Sequence, residues 1–284
     1  MKRIFLFIYT LLFTITGCGK ISLPPRIIDS HIHYERQPSF IPNLVAEYRK
    51  YNAIACIMTP MEGLDVVAQA MRDYPDMIVG FGQINIDTST VMEDIEKFHA
   101  AGFKGLGELF ATNKWNYDDE HYFPIWKKAE ELGMVVLLHT GILSNGLISR
   151  MRPGYLGTIS VHFPKLTIIG AHFGNPWYDE AGEIARRCKN VYFDITGSSL
   201  IKKEKNLEIF TEYLWWTPYL GKPHMPPDAS PAFEKLIFGT DESPEELEPN
   251  IQRFTNLIKA CNVDEITRNK MWYSTMAKIL TISK

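Results

Sequence analysis

The chain has 284 residues, 45% hydrophobic and 22% charged, a balance that builds a sizeable globular core and excludes a disordered or low-complexity chain. A formal charge of −3 leaves no basic footprint for nucleic acid. No internal repeat appears beyond an alternation of strands and helices.

The first element lies ahead of the fold. Lys2 and Arg3 precede a mostly apolar run of 13 residues, Ile4–Thr16. That run is shorter than the roughly 20 residues a membrane span needs, but it suits the apolar region of a signal peptide. It ends in Ile15-Thr16-Gly17-Cys18, which resembles a bacterial lipobox and implies cleavage before Cys18 and a lipid on its thiol. The expectation is a signal peptide over 1–17, a short tether over 18–25 and one folded domain over 26–284. Such a protein is an exported lipoprotein held at a membrane through Cys18. Cys56, Cys188 and Cys261 remain, an odd number without close spacing, and are read as free thiols.

Eight short apolar runs follow: Arg26–Ser30, Asn52–Met58, Met77–Ile84, Phe103–Glu108, Met134–His139, Leu166–His172, Val191–Thr196 and Lys235–Thr240. They lack strict polar alternation, as expected of parallel strands covered on both faces. Helical stretches separate them. Thr90-Val91-Met92-Glu93 reads as a capping box, with a stop at Gly102. Pro124–Leu132 reads as a helix ended by Gly133, and Ser243-Pro244-Glu245-Glu246 as another helix start. The longest departure, Leu200–Pro231, predicts an elaborated loop with a helix at Lys205–Leu214. Eight strand–helix units favour closure into a single-domain (β/α)8 barrel, the TIM barrel, and no glycine-rich phosphate motif follows the first strand.

Catalytic groups of such a barrel stand at the C-terminal ends of its strands. Here those ends carry His31 and His33 (strand one), Glu108 (four), His139 (five), His172 (six) and Asp241 (eight). His31 and His33 are two apart, so their rings share one side of an extended backbone. Neutral imidazoles and carboxylates are the ligands expected of Zn²⁺ and similar ions at open catalytic sites. Five of eight ends carrying such groups at one mouth predicts a metal site. For substrate contact the candidates are Asn175 beside His172, Trp177, Arg150 and His224. Trp115, Trp215 and Trp216 also fall in mouth loops, and Arg152 joins Arg150 as a potential carboxylate clamp.

At Ile27–His33, Val135–Gly141, Phe163–Gly174, Val191–Gly197 and Leu236–Pro244 the chain resembles the amidohydrolase superfamily. Within it, the likeness is to the amidohydrolase-related family that includes aminocarboxymuconate-semialdehyde decarboxylase. The resemblance runs from about residue 26 to the C-terminal helix. By position it implies that His31, His33, His139 and Asp241 touch a metal, with His172 a ligand of a second ion or a nearby base. Glu108 departs from the one-metal pattern and resembles the bridging acid of TatD-type two-metal hydrolases.

The expected cofactor is therefore one or two divalent ions, Zn²⁺ first and Mn²⁺ as the other candidate. The expected activity is hydrolysis of an amide, lactone or ester of a small molecule, with Asp241 and His172 as proton-handling groups. Metal-dependent, non-oxidative decarboxylation is the alternative the same resemblance implies. A non-catalytic, lipid-anchored binding protein is the alternative of another class.

Overall fold

The computed structural model describes residues 26–111, 115–143, 147–196, 198–214 and 232–282. The leader with Cys18, and Trp215, Trp216 and His224, lie outside the described residues. Each predicted run overlaps one strand, and β1, β2 and β4 extend one to three residues past theirs: β1 (Ile27–His33), β2 (Ala53–Pro60), β3 (Ile78–Gln83), β4 (Gly105–Leu109), β5 (Val135–Leu138), β6 (Ile168–Gly170), β7 (Val191–Asp194) and β8 (Leu236–Ile237). Seven parallel ladders join them in chain order. Six helices fill the gaps from β1 to β7: α1 (Phe40–Lys50), α2 (Leu64–Asp73), α3 (Val91–Ala100), α4 (Phe123–Glu131), α5 (Gly154–His162) and α6 (Tyr178–Arg187). The short α7 (Ser198–Lys202) and α8 (Ile209–Tyr213) precede β8, and α9 (Leu247–Ala260), α10 (Glu265–Asn269) and α11 (Thr275–Ile279) follow it. This is a single-domain (β/α)8 barrel. No helix among the described residues is long and apolar enough to cross a membrane.

Side-chain alternation along each strand makes two cores. In β2, Ile54, Cys56 and Met58 join an inner cluster with Ile28, Phe81 and Leu137, while Ala53, Ala55 and Ile57 face the helices. In β1 the alternation is broken. Ile27 and Ile32 are an odd number apart, yet both belong to the outer cluster. The pairing of β1 with β2 shifts register between Asp29 and Ile32, and this irregularity re-phases the strand. His31 and His33, flanking the outward Ile32, thereby turn inward together.

β1 and β8 meet through a different set of bonds. Ser30 N–H donates to Phe238 O at 3.0 Å and Asp241 N–H to His31 O at 2.7 Å. The fully buried Asp29 carboxylate accepts from the Thr240 N–H (3.0 Å), the Thr240 hydroxyl (2.8 Å), the His31 N–H (3.0 Å) and the Tyr48 hydroxyl (2.5 Å). One carboxylate thus staples β1, the segment after β8, and α1.

Three local expectations are corrected. Thr90 makes no side-chain cap, because its hydroxyl donates to Asp94 at 2.9 Å instead of accepting from the first turn. Ser243 likewise makes no side-chain cap, and a 3₁₀ turn at Pro244–Glu246 precedes α9. The helix expected over Lys205–Leu214 shrinks to Ile209–Tyr213. The stops at Gly102 and Gly133 hold, both in left-handed backbone (φ +89° and +65°).

Candidate metal centre

The structure brings all six predicted donors together at one mouth. His31 and His33 come from β1 and Glu108 from β4; His139 stands one residue beyond β5. His172 and Asp241 lie past the ends of β6 and β8, in left-handed backbone (φ 61° and 55°) that costs free energy in residues with a Cβ. Hydrogen bonds hold both: the His172 N–H donates to Asp194 at 2.8 Å, and the Asp241 N–H to His31 O.

The six fall into two trios whose donor atoms lie within 4.8 Å of one another, His31–His33–Asp241 and Glu108–His139–His172. In the first, His31 Nε2 is 3.2 Å from His33 Nε2 and 3.5 Å from Asp241 Oδ1, and His33 Nε2 is 3.4 Å from the same oxygen. Glu108 lies between the trios. Its Oε2 faces His31 Nε2 (3.7 Å) and His33 Nε2 (3.5 Å); its Oε1 faces His139 Nδ1 (2.7 Å) and His172 Nε2 (3.2 Å).

These spacings can be tested against an ion. Ligands about 2.1 Å from a tetrahedral Zn²⁺ are about 3.4 Å apart. The three distances within the first trio and the two from its histidines to Glu108 Oε2 lie close to that spacing. The second half is more contracted, since 2.7 Å between His139 Nδ1 and Glu108 Oε1 is a hydrogen bond. The donor set fits a divalent ion, with one half already spaced for it.

The charges agree with this fit. Burial opposes charge on Glu108, yet His31 foremost, with His139 and His172, holds its carboxyl well below the usual range. Burial also opposes charge on His31, but Asp194, Asp241 and Glu108 together raise it well above an ordinary imidazole. His172 is raised in the same way by Glu108 against burial, while His139 is lowered by burial. Asp241 is lowered, against its burial, by His31 and His33. Both carboxylates are thus favoured in their ionised form, the form a divalent cation binds.

The substrate-contact candidates are placed less closely. Asn175 is buried, and its Oδ1 accepts from the Tyr178 hydroxyl at 2.8 Å. Trp177 is half-buried under the Arg152 guanidinium, 5.2 Å from its ring centre, and Arg152 pairs with Glu180. Arg150 stands in a 3₁₀ turn after β5 and donates to Asn116 at 3.3 Å. Trp115 stacks on His121 at 5.1 Å.

Sequence reasoning did not nominate Asp29, Asp194 or Thr196. All are buried, and they hold His31 and His172 from behind. The available signal was the acid ending β7 in Val191-Tyr192-Phe193-Asp194, comparable to the acids at strands four and eight.

An eight-stranded barrel with histidines and carboxylates gathered at the strand ends is the architecture of a metal-dependent enzyme class. The chain belongs to the amidohydrolase family, whose model matches residues 28–279. No curated protein matches it. Among solved structures it is similar to 2,6-dihydroxybenzoate decarboxylase from Rhizobium, with a TM-score of 0.61 at 12% identity over 91% of this chain and 99% of that one. It is similar to 5-carboxyvanillate decarboxylase from Sphingomonas paucimobilis, with a TM-score of 0.57 at 14% identity, covering 91% and 99%. It is also similar to a probable 2-pyrone-4,6-dicarboxylic acid hydrolase from Acinetobacter baumannii, with a TM-score of 0.60 at 16% identity, covering 90% and 99%. At these identities the likeness is one of fold.

Proposed function

We infer that this chain is a metal-dependent hydrolase acting on an amide, lactone or ester of a small molecule. The observation that carries the reading is Glu108, with one carboxylate oxygen turned to each trio. His31, His33, Asp241 and Glu108 Oε2 would hold one ion; Glu108 Oε1, His139 and His172 would hold a second. Ions held there supply Lewis acidity and make hydroxide available from water near neutral pH.

The chain's own groups do the rest. Asp241 is a quarter exposed at the mouth while the other carboxylate, Glu108, is buried, so Asp241 is the one that can reach water and substrate. His31 and His33 keep it ionised, the state a base requires. It takes the proton of the attacking water and passes it to the leaving group. Of the two proton-handling candidates Asp241 carries this step: His172 Nδ1 lies 3.9 Å from Asp241 Oδ2, beyond hydrogen-bond reach, and its Nε2 would serve the second ion. Arg150, Asn175 and Trp177, on loops after β5 and β6, are the candidates for substrate contact.

Decarboxylation is the second reading. It is favoured by the decarboxylases among the structural neighbours and by the first trio's fit to one ion without rearrangement. The two readings separate by experiment. Hydrolysis expects two Zn²⁺ or Mn²⁺ per chain and turnover of a member of a lactone, amide and ester panel. It also expects Asp241→Asn to keep metal while losing ~10²–10⁴-fold in rate. One ion per chain with CO₂ released from aromatic acids would replace it with decarboxylation; turnover unchanged in Asp241→Asn would remove Asp241's role. The anchoring reading is tested separately, by labelled fatty acid on the expressed chain that is lost in Cys18→Ala.

A further inference from the structure

Asp194 ends β7 and is fully buried. Its Oδ2 lies 2.9 Å from Nδ1 of His31. Its Oδ1 accepts from the His172 backbone N–H at 2.8 Å and from the Thr196 hydroxyl at 2.9 Å. The Thr196 oxygen in turn lies 2.7 Å from Nδ1 of His172.

Counting protons along this chain of bonds fixes both rings. A carboxylate only accepts, so Nδ1 of His31 carries a proton and Nε2 can be bare. A hydroxyl has one proton, and that of Thr196 goes to Asp194. Its oxygen therefore accepts from Nδ1–H of His172, which frees Nε2 of that ring as well. The two freed nitrogens are the ones that face Glu108, at 3.7 Å from Oε2 and 3.2 Å from Oε1. A ring nitrogen can take a metal ion only without its proton.

We propose that Asp194 is a positioning residue for both halves of the metal centre, setting the tautomer of His31 directly and that of His172 through Thr196. This rests on the metal-site reading above. His139 has no such relay: its Nε2 is buried without a hydrogen-bond partner among the described residues. One buried carboxylate thus prepares one ligand of each trio, and the two can be uncoupled by different substitutions. In Asp194→Asn the amide oxygen keeps the bonds from His172 and Thr196, while the NH₂ turns to His31 and forces that ring's proton onto Nε2. In Thr196→Val the shape is kept and only the His172 arm is cut.

The test uses the full chain and Zn²⁺ alone. Stepwise Zn²⁺ affinity is measured by chelator competition, and the imidazole ¹⁵N spectrum of metal-free protein is recorded at a pH where the rings are neutral. Thr196→Val is expected to weaken one binding step ~10–100-fold and leave the other. Asp194→Asn is expected to weaken the step that Thr196→Val spares, and to move the His31 proton from Nδ1 to Nε2 without changing His172. Unaltered tautomers in both variants, or an equal loss of both steps in each, overturns the proposal. If the wild-type chain takes up no Zn²⁺, the metal reading fails, and the ring spectra still decide whether Asp194 sets the two tautomers.

Discussion

Replacing Asp29 by asparagine should flatten the pH dependence of stability. Burial pushes the Asp29 carboxyl up to about 6 from its ordinary 3.8, against the hydrogen bonds from Tyr48, His31 and Thr240 that pull it down. The folded chain therefore holds this proton more tightly than the unfolded chain does. The group's contribution is complete below about pH 4 and is lost as pH rises to about 6, because ionising a buried carboxyl is harder than ionising a solvated one. That loss is ~3 kcal/mol at ~1.4 kcal/mol per pH unit. Asparagine keeps the shape and carries no charge. Its oxygen can accept from the His31 and Thr240 backbone N–H groups, while its NH₂ faces two hydroxyls, at a pH-independent cost of about 1–3 kcal/mol. Urea unfolding of metal-free wild type and Asp29→Asn between pH 4 and 7 reads the difference directly. The wild type's advantage should shrink by ~3 kcal/mol across that range, and a gap that stays constant refutes the raised carboxyl.

Two further outcomes follow from the same geometry. Metal retention after equilibrium dialysis should decline on acidification starting above pH ~6.5, where ordinary imidazoles titrate, because His31 and His172 are raised and their protons compete with the ion; retention flat down to pH 5 would contradict those shifts. In Gly239→Ala the new Cβ would stand 2.7 Å from Thr196 Cγ2 and 3.2 Å from His31 Cβ, so we expect about 1–3 kcal/mol of destabilisation by chemical unfolding together with weaker metal binding.

The barrel was legible because its signals are local. Eight apolar runs, glycine stops and strand-terminal ligand types can each be read within a few residues, and each of the eight runs overlaps a strand. The HxH pair was legible for the same reason, although its inward aim depends on a register shift that alternation alone does not reveal. Asp194 was not legible, since its bond to His31 spans 163 positions and its bond from the His172 N–H exists only once β6 and β7 are paired. The left-handed backbone at His172 and Asp241 was hidden as well, because His and Asp, although enriched in that conformation, adopt it at only a minority of positions. At Thr90 the capping pattern was present, but Asp94 one turn on competes for the hydroxyl.

Barrel closure and site assembly are one set of bonds. β1 carries His31 and His33, and the segment after β8 carries Asp241. Both are joined by Ser30 to Phe238, by Asp29 to Thr240 and by the Asp241 N–H to His31 O. β8 itself is only two residues long, so its ladder with β7 cannot place a side chain four residues past its end. The Asp29 staple and the Asp241–His31 bond do so, fixing Asp241 against the two histidines it must meet. The first trio is therefore spaced for an ion by the closure of the fold, whereas the second relies on Glu108 and His139, which rest in a direct hydrogen bond. That asymmetry orders the two halves: an ion at His31, His33 and Asp241 would bind a geometry already made, and a second would first have to part a carboxylate from an imidazole.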